Sequence, residues 1–379
     1  MNKNISIFNS CYGCGVCVNV CPMSIIQLIL NEGGFYKPVI IDEKSCINCN
    51  KCVKVCAFND DEVNSHVLSS YSGWSISEES RIASSSGGIA YEIASLLISK
   101  GYHILAVRYD SNNKRVEHYI ATSINDLLAS RGSKYLQSYL PDALSKLNKD
   151  QKYAVFGTPC QIHSLRKMFN LLHYNRDSVF IDFFCHGTPS YLMFEKYLKM
   201  HESIGNITNV SWRNKSNGGW HNSWNMIIEG EKGISCCSLK EHDLFYKFFL
   251  KNRCLNSACY DSCKYKMTSS AADIRIGDLW GTKYEDDELG VNGILVMNEC
   301  GDIILKQLKS CNIFSESIEV VTESQMKNCA TRVSSNKLVT YLLKTNISLR
   351  NLDRIASLLE LIVDYIPSLI RRALNKLTR

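Results

Sequence analysis

No apolar run in this 379-residue chain approaches the roughly 20 residues that a membrane-spanning helix requires. A secretory leader is also missing from view, since Met1-Asn2-Lys3-Asn4 is followed by only a few apolar residues before Cys11. Charge is nowhere massed into a long basic arm: 43 Lys and Arg against 37 Asp and Glu leave +6, so nothing points to nucleic acid. Cysteine is what the chain does not lack. Eighteen thiols without a leader argue for the reducing cytoplasm, where they stay free for metal, and the expected location is cytoplasmic. Hydrophobic content of 45% and charged content of 21% are ordinary for a core-bearing protein, and the length suggests two or three units.

Eight of the thiols form two runs, Cys11-x2-Cys14-x2-Cys17-x3-Cys21-Pro22 and Cys46-x2-Cys49-x2-Cys52-x3-Cys56. This is the spacing of two-cluster bacterial ferredoxins, which hold cubic 4Fe–4S clusters on soft thiolates. On that pattern one cube takes Cys11, Cys14, Cys17 and Cys56, and the other takes Cys46, Cys49, Cys52 and Cys21. Zinc and disulfides are the plain alternatives. Structural zinc usually draws two ligands from each knuckle, whereas here three arrive per loop with a fourth behind, twice over. One departure stands out: Ala57, not proline, follows Cys56.

The runs repeat with a period of 35 residues, Cys11 to Cys46, and enclose a hairpin around Gly33-Gly34, with a short helix expected behind each run. The expected organisation is a ferredoxin-type domain at 1–64, a serine-rich linker at 65–85, and an α/β domain in two parts, 86–175 and 176–345. A helical basic tail comes last, at 346–379, interrupted at Pro367 and carrying Arg350, Arg354, Arg371, Arg372 and Lys376. A solvated helix packed on the body is the plain reading of that tail, and basic amphipathic helices also bind anionic lipid. Between the module and the tail, apolar strands such as Tyr153–Phe156 and Val179–Phe184 alternate with helices such as Ala90–Ile98 and 161–169. The fold class expected is α/β with a mostly parallel sheet, preceded by a small α+β ferredoxin-like module.

Four further segments bear on chemistry: Ser85-Ser86-Gly87-Gly88, Gly132 to Ser138, Gly157-Thr158-Pro159-Cys160-Gln161, and Ala272 to Gly281. Ser-Gly-Gly opening a helix offers free N–H groups to a phosphate, and Gly157–Gln161 comes after a strand's carboxyl end, where open α/β sheets bind ligands. In this order, behind a two-cluster unit, and with Cys185-His186-Gly187, these segments resemble the coenzyme F420 hydrogenase/dehydrogenase beta-subunit family, from Cys11 to about Gly293.

The resemblance implies an iron–sulfur flavoprotein that carries FAD and passes electrons between clusters and a two-electron organic partner. It implies Ser86, Gly87 and Gly88 at the FAD pyrophosphate, and Ser133, Lys134, Tyr135, Gln137 and Ser138 in a second flavin loop. Gly157, Thr158, Pro159 and Gln161 complete the implied cofactor set, with Lys134 and His186 as the implied catalytic groups. It further implies a third cluster, for which the thiols chosen are Cys160, Cys185, Cys259 and Cys263, with Cys254 as the alternative. Arg213 and Lys215 ahead of Gly219-Trp220 suggest an anion-and-ring pocket, while Cys300, Cys311 and Cys329 read as scattered buried thiols. The implied partners are a ferredoxin-like electron donor or acceptor and a small organic redox substrate. The alternative is a non-catalytic electron-transfer subunit of a larger complex.

Overall fold

The computed structural model describes residues 4–8, 10–60, 62–216 and 218–366. In the first sixty residues, one-turn helices Val16–Asn19 and Lys51–Lys54 carry the third cysteine of each run, so they lie inside the runs and not behind them. Between them β1 (Ile26–Leu30) pairs antiparallel with β2 (Tyr36–Ile40) as the expected hairpin.

The body is built on one eight-stranded sheet and one of three strands. The large sheet comprises β3 (Ser69–Ser75), β4 (His103–Asp110), β5 (Arg115–Ala121), β6 (Tyr153–Gly157) and β7 (Val179–Phe183). After β8 (Ile207–Ser211), β9 (Asn225–Gly230) and β10 (Gly233–Ser238) form the small sheet, the chain returns with β11 (Ile274–Asp278), β12 (Asn292–Val296) and β13 (Cys311–Ser315). The spatial order is β13-β3-β12-β11-β7-β6-β4-β5. Only the central four, β11, β7, β6 and β4, run parallel, and every strand outside them pairs antiparallel. The sheet is therefore mixed and not mostly parallel. β5 comes directly after β4 as a hairpin, a connection that allows only antiparallel pairing.

Burial reflects strand alternation. Leu105, Val155 and Phe180 pack on helix Pro159–Leu172 and on the cysteine module, through Ile162, Leu165, Val16 and Val53. Their neighbours Ile104, Ala106, Ala154, Phe156 and Ile181 pack on helix Ile89–Ser99, through Ile89, Ile93 and Leu97. All five residues of β6 are buried, as a central parallel strand covered on both faces demands.

The stretch 65–85, expected as a linker, instead supplies β3 to the interior of the sheet and the helix Glu78–Ala83. Its serines misled because their hydroxyls find partners only in the folded chain. Ser70 Oγ donates to Glu316 O at 2.7 Å, and Ser75 Oγ donates to the Glu92 carboxylate at 2.6 Å. The tail begins with helix Leu349–Glu360, continued as wider π-type turns over Leu361–Tyr365. Pro367, Arg371, Arg372 and Lys376 lie outside the described residues. Among the described residues, no helix is long and apolar enough to cross a membrane.

Candidate electron-transfer site

The thiols gather in three groups. Burial raises the Cys11 thiol pKa to about 12, with Cys14 and Cys56 adding to it, and Cys17 is raised by burial and then by Cys14, Cys11 and Cys56. Cys52 is raised by burial and then by Cys21 and Cys49, and these three line one cavity with Cys46. In the third group, burial and then Cys185 and Cys263 raise Cys259 to about 12, while Cys160 feels burial and then Cys185, Cys14 and Cys259. Cys160, Cys185, Cys259 and Cys263 share a second cavity wall. Cys254 stands apart: burial raises it to about 12 with no other thiol acting on it, and it packs in the helical core. Among the described residues, no three His, Cys, Asp or Glu side chains converge on a single-ion site. Thiols grouped by fours suit cubes, each of which takes four thiolates.

The first and third groups adjoin. Cys14 acts on Cys160, and Tyr12 lies between the groups, its O–H donating to Ser262 O at 2.5 Å and its ring edge-on to Tyr265 at 5.8 Å. Gln137, expected at a flavin, joins the module to the body: its Nε2 donates to Tyr12 O and its Oε1 accepts from Tyr36 N–H, each at 2.9 Å. The missing proline after Cys56 has a physical reason. Ala57 N–H donates to Ser164 Oγ at 3.1 Å on helix Pro159–Leu172, a bond proline cannot make.

Beyond the third group opens a cavity of about 460 Å³, within the range of small-molecule sites. Its floor is the carboxyl end of parallel strands: Phe156 to Thr158 at the end of β6, Phe183 to Thr188 at the end of β7, and Ile276 to Asp278 in β11. Ser86, Gly88, Ser133, Lys134, Tyr135, Ser138, Gly157, Thr158, Gln161 and His186 all line it. Gly87 does not. It packs so close that a Cβ would stand 2.6 Å from Gly73 O. Pro159 opens its helix and lines the thiol cavity instead. Gln161 accepts from Thr158 Oγ1 at 2.9 Å and donates through Nε2 to Ser138 Oγ at 2.9 Å, so two of the expected segments are clamped together.

Three cations near the cavity are spent on the protein. Lys134 Nζ donates to the carbonyls of Ala129, Arg131 and Gly132 at 2.8–3.2 Å; burial draws its pKa down to about 7, against the pull of these acceptors toward the charged form. Arg213, with no exposed side-chain surface, pairs with Asp278 at 3.1 Å, donates to Ser85 O at 3.2 Å, and lies over Trp224 and Trp280. Lys215 donates to Ser86 O at 2.7 Å and to the carbonyls of Arg81 and Leu289. Arg213 and Lys215 therefore form no open anion pocket. They hold the Ser85 and Ser86 carbonyls, and across planar peptides the N–H groups of Ser86 and Gly87 face the other way, with no acceptor among the described residues. Arg131, unmarked in the sequence, also lines the cavity; among the described residues its Nε has no hydrogen-bond partner, and its ion pair to Glu79 is 4.0 Å long.

His186 sits at the wall between cavity and thiols, its Nε2 2.6 Å from Asn252 Oδ1 and its ring against Phe249. Burial lowers its pKa, favouring the neutral ring. Lys266, also missed, donates to Cys185 O at 2.8 Å and His186 O at 3.2 Å and lines both spaces. The signal available was its place three residues after Cys263. Of the remaining thiols, Cys300 is exposed and not buried, and Cys311 and Cys329 are half-buried.

A ligand-sized cavity at the strand ends, sharing a wall with the cavity of one gathered set of thiols and with two more sets behind, defines an iron–sulfur electron-transfer protein. Residues 10–59 match the 4Fe–4S dicluster domain, while 70–145 and 150–319 match the N-terminal part and the C terminus of the coenzyme F420 hydrogenase/dehydrogenase beta subunit. The chain belongs to that beta-subunit family. A chain of the F420-reducing NiFe hydrogenase complex from Methanosarcina barkeri, in a structure describing xenon derivatization, is similar at 17% identity and a TM-score of 0.47, over 77% of this chain and 92% of that one. Comparison with curated proteins finds no matching relative.

Proposed function

We propose that the protein is an FAD-dependent oxidoreductase in which three 4Fe–4S clusters connect an external one-electron carrier with a two-electron organic acceptor. When bound, the clusters would exchange single electrons and the flavin would exchange pairs. Cys11, Cys14, Cys17 and Cys56 would hold one cluster, Cys21, Cys46, Cys49 and Cys52 another, and Cys160, Cys185, Cys259 and Cys263 the third. The observation carrying this reading is a shared wall: Ser138, Thr158, Gln161, Cys185, His186 and Lys266 line both the large cavity and the cavity of the third thiol group. A ligand in the large cavity therefore meets the same residues as a cluster on those thiols.

Arg131 and the N–H group of Ser86 would bind the pyrophosphate, and Lys134 would fix the loop that presents Arg131. Tyr135, Trp224 and Trp280 line the same cavity. His186, neutral and tethered through Nε2 to Asn252, would stand at the wall between the ligand and the third thiol group. The exposed Cys49 places the second thiol group nearest to solvent, which suits entry from a ferredoxin-like partner. The description of the family as a beta subunit supports a second reading, an electron-transfer component that leaves turnover to another chain.

The test is iron, sulfide and flavin content after anaerobic purification and reconstitution. About twelve irons and one FAD per chain are expected, four irons for each cube. About eight irons would remove the third cluster from the reading, and a colourless apoprotein that takes up no FAD would remove the flavin. Oxidation or reduction of a deazaflavin by the isolated chain would separate the enzyme from the component.

A further inference from the structure

The eight-stranded sheet ends differently on its two sides. At the β5 end, Val116 O accepts from Tyr139 N–H at 2.8 Å and His118 N–H donates to Tyr139 O at 2.9 Å, so a passing segment covers that edge. At the other end β13 pairs only with β3. Ile76 N–H donates to Ser310 O and Glu316 N–H to Ser70 O, which turns the even-numbered residues of β13 toward β3. The N–H and C=O groups of Cys311, Ile313 and Ser315 therefore face away from the sheet, with no backbone partner among the described residues. Native edges are usually blunted by lysine, proline or an inward charge. Cys311-Asn312-Ile313-Phe314-Ser315 has none of these, and Phe314 is 50% exposed.

The charges at the two ends of β13 select the partner. Lys309 precedes the strand and Glu319 follows it; both are exposed, and neither makes an ion pair among the described residues. Their neighbours Lys306 and Glu316 are already held by Asp302 and Lys283. Antiparallel pairing of β13 with itself about a two-fold axis brings the basic end of one copy to the acidic end of the other, and does so at both ends. Centred on Ile313, it sets Cys311 opposite Ser315 and forms about six ladder bonds. β10 is also last in its sheet, but Glu231 and Lys232 flank one end and Lys240 and Glu241 the other, so its ends have no such polarity. We propose that β13 pairs with β13 of a second copy of this chain, joining two eight-stranded sheets into one continuous sheet. No residue of β13 lines the large cavity or the thiol cavities, so the inference stands or falls apart from the redox reading.

The test is sedimentation equilibrium of the full-length holoprotein across a wide range of concentration, and a monomer–dimer equilibrium is expected. Ser315→Pro removes an outward N–H and leaves the bonds to β3 in place, so it should abolish the dimer with iron content unchanged. Lys309→Glu and Glu319→Lys should each weaken the dimer about fivefold, because the two-fold axis counts each lost pair twice. The two changes together should restore it, a recovery that a misfolded chain or an unrelated contact would not show. A monomer at every concentration, a dimer indifferent to Ser315→Pro, or a double variant that associates no more tightly than the single ones would overturn the proposal.

Discussion

The cysteine module and the α/β body hold thiols in opposite ways. In the module, three of each four lie within seven residues, on loops shaped by one-turn helices, and the spacing alone declares the set. In the body, Cys160 comes after β6, Cys185 after β7, and Cys259 and Cys263 from the segment before β11. Only the sheet brings them together. A local motif can be read before folding is known, whereas a non-local one exists only once strand order is set. The module also keeps Cys49 exposed, while the thiols of the third group are drawn inward beside the large cavity.

The sharpest way to break this comparison is Cys185→Ala. Iron should fall from about twelve to about eight per chain, because a cube needs four thiolates. Reduction of the flavin by an external one-electron donor should be lost, with dicluster signals intact by electron paramagnetic resonance. Cys254→Ala should leave the iron content as it was, since no other thiol acts on it. An unchanged iron count in the first variant, or a fall in the second, would reverse the assignment of the third group.

Next in size is a stability effect specific to the body. Asp182 and Arg275 form a bidentate pair at 2.7 Å between β7 and β11 with no exposed side-chain surface on either partner. Arg275 also donates to Met267 O at 2.9 Å, which steadies the segment carrying Lys266. Asp182→Ala would leave that guanidinium buried and unpaired, at a cost of about 3–5 kcal/mol, measurable by chemical denaturation. A loss confined to the module's signals would contradict the placement of this pair.

Legibility in the sequence divides along the same line. The module's eight thiols, the hairpin and the strands β4 to β7 announce themselves through spacing and apolar runs. The strand β3 did not, because serine hydroxyls look solvated until Glu316 and Glu92 are found beside them. Lys134, Arg213 and Lys215 were legible as cations near a site but not as cations already spent, since their acceptors are main-chain carbonyls that no motif encodes. Arg131, one position before the Gly132 segment, keeps spare donors for the same non-local reason. Arg131→Met should therefore weaken FAD about 10- to 100-fold in a titration, the loss of a charged hydrogen bond worth about 1.5–3 kcal/mol. An unchanged FAD affinity would move the pyrophosphate elsewhere in the cavity.

The smallest effect probes the seam between the two regions. The ferredoxin pattern puts proline after the last cysteine, and this chain has Ala57. Cys56 is already extended, at φ −77° and ψ 113°, which suits a residue before proline, and Ala57 opens a 3-10 turn whose φ proline shares. Ala57→Pro thus strains nothing in the backbone. It deletes the N–H donated to Ser164 Oγ, a loss of about 1 kcal/mol, and stiffens the unfolded chain by about 0.4–1 kcal/mol in compensation. Global stability should barely move. What should change is the docking of the Cys56 loop on helix Pro159–Leu172, read as faster hydrogen exchange of the amides over 56–60. Exchange left as slow as before would mean that Lys167 and Lys264, which donate to the carbonyls of Cys56, Ala57 and Phe58, suffice to hold the seam.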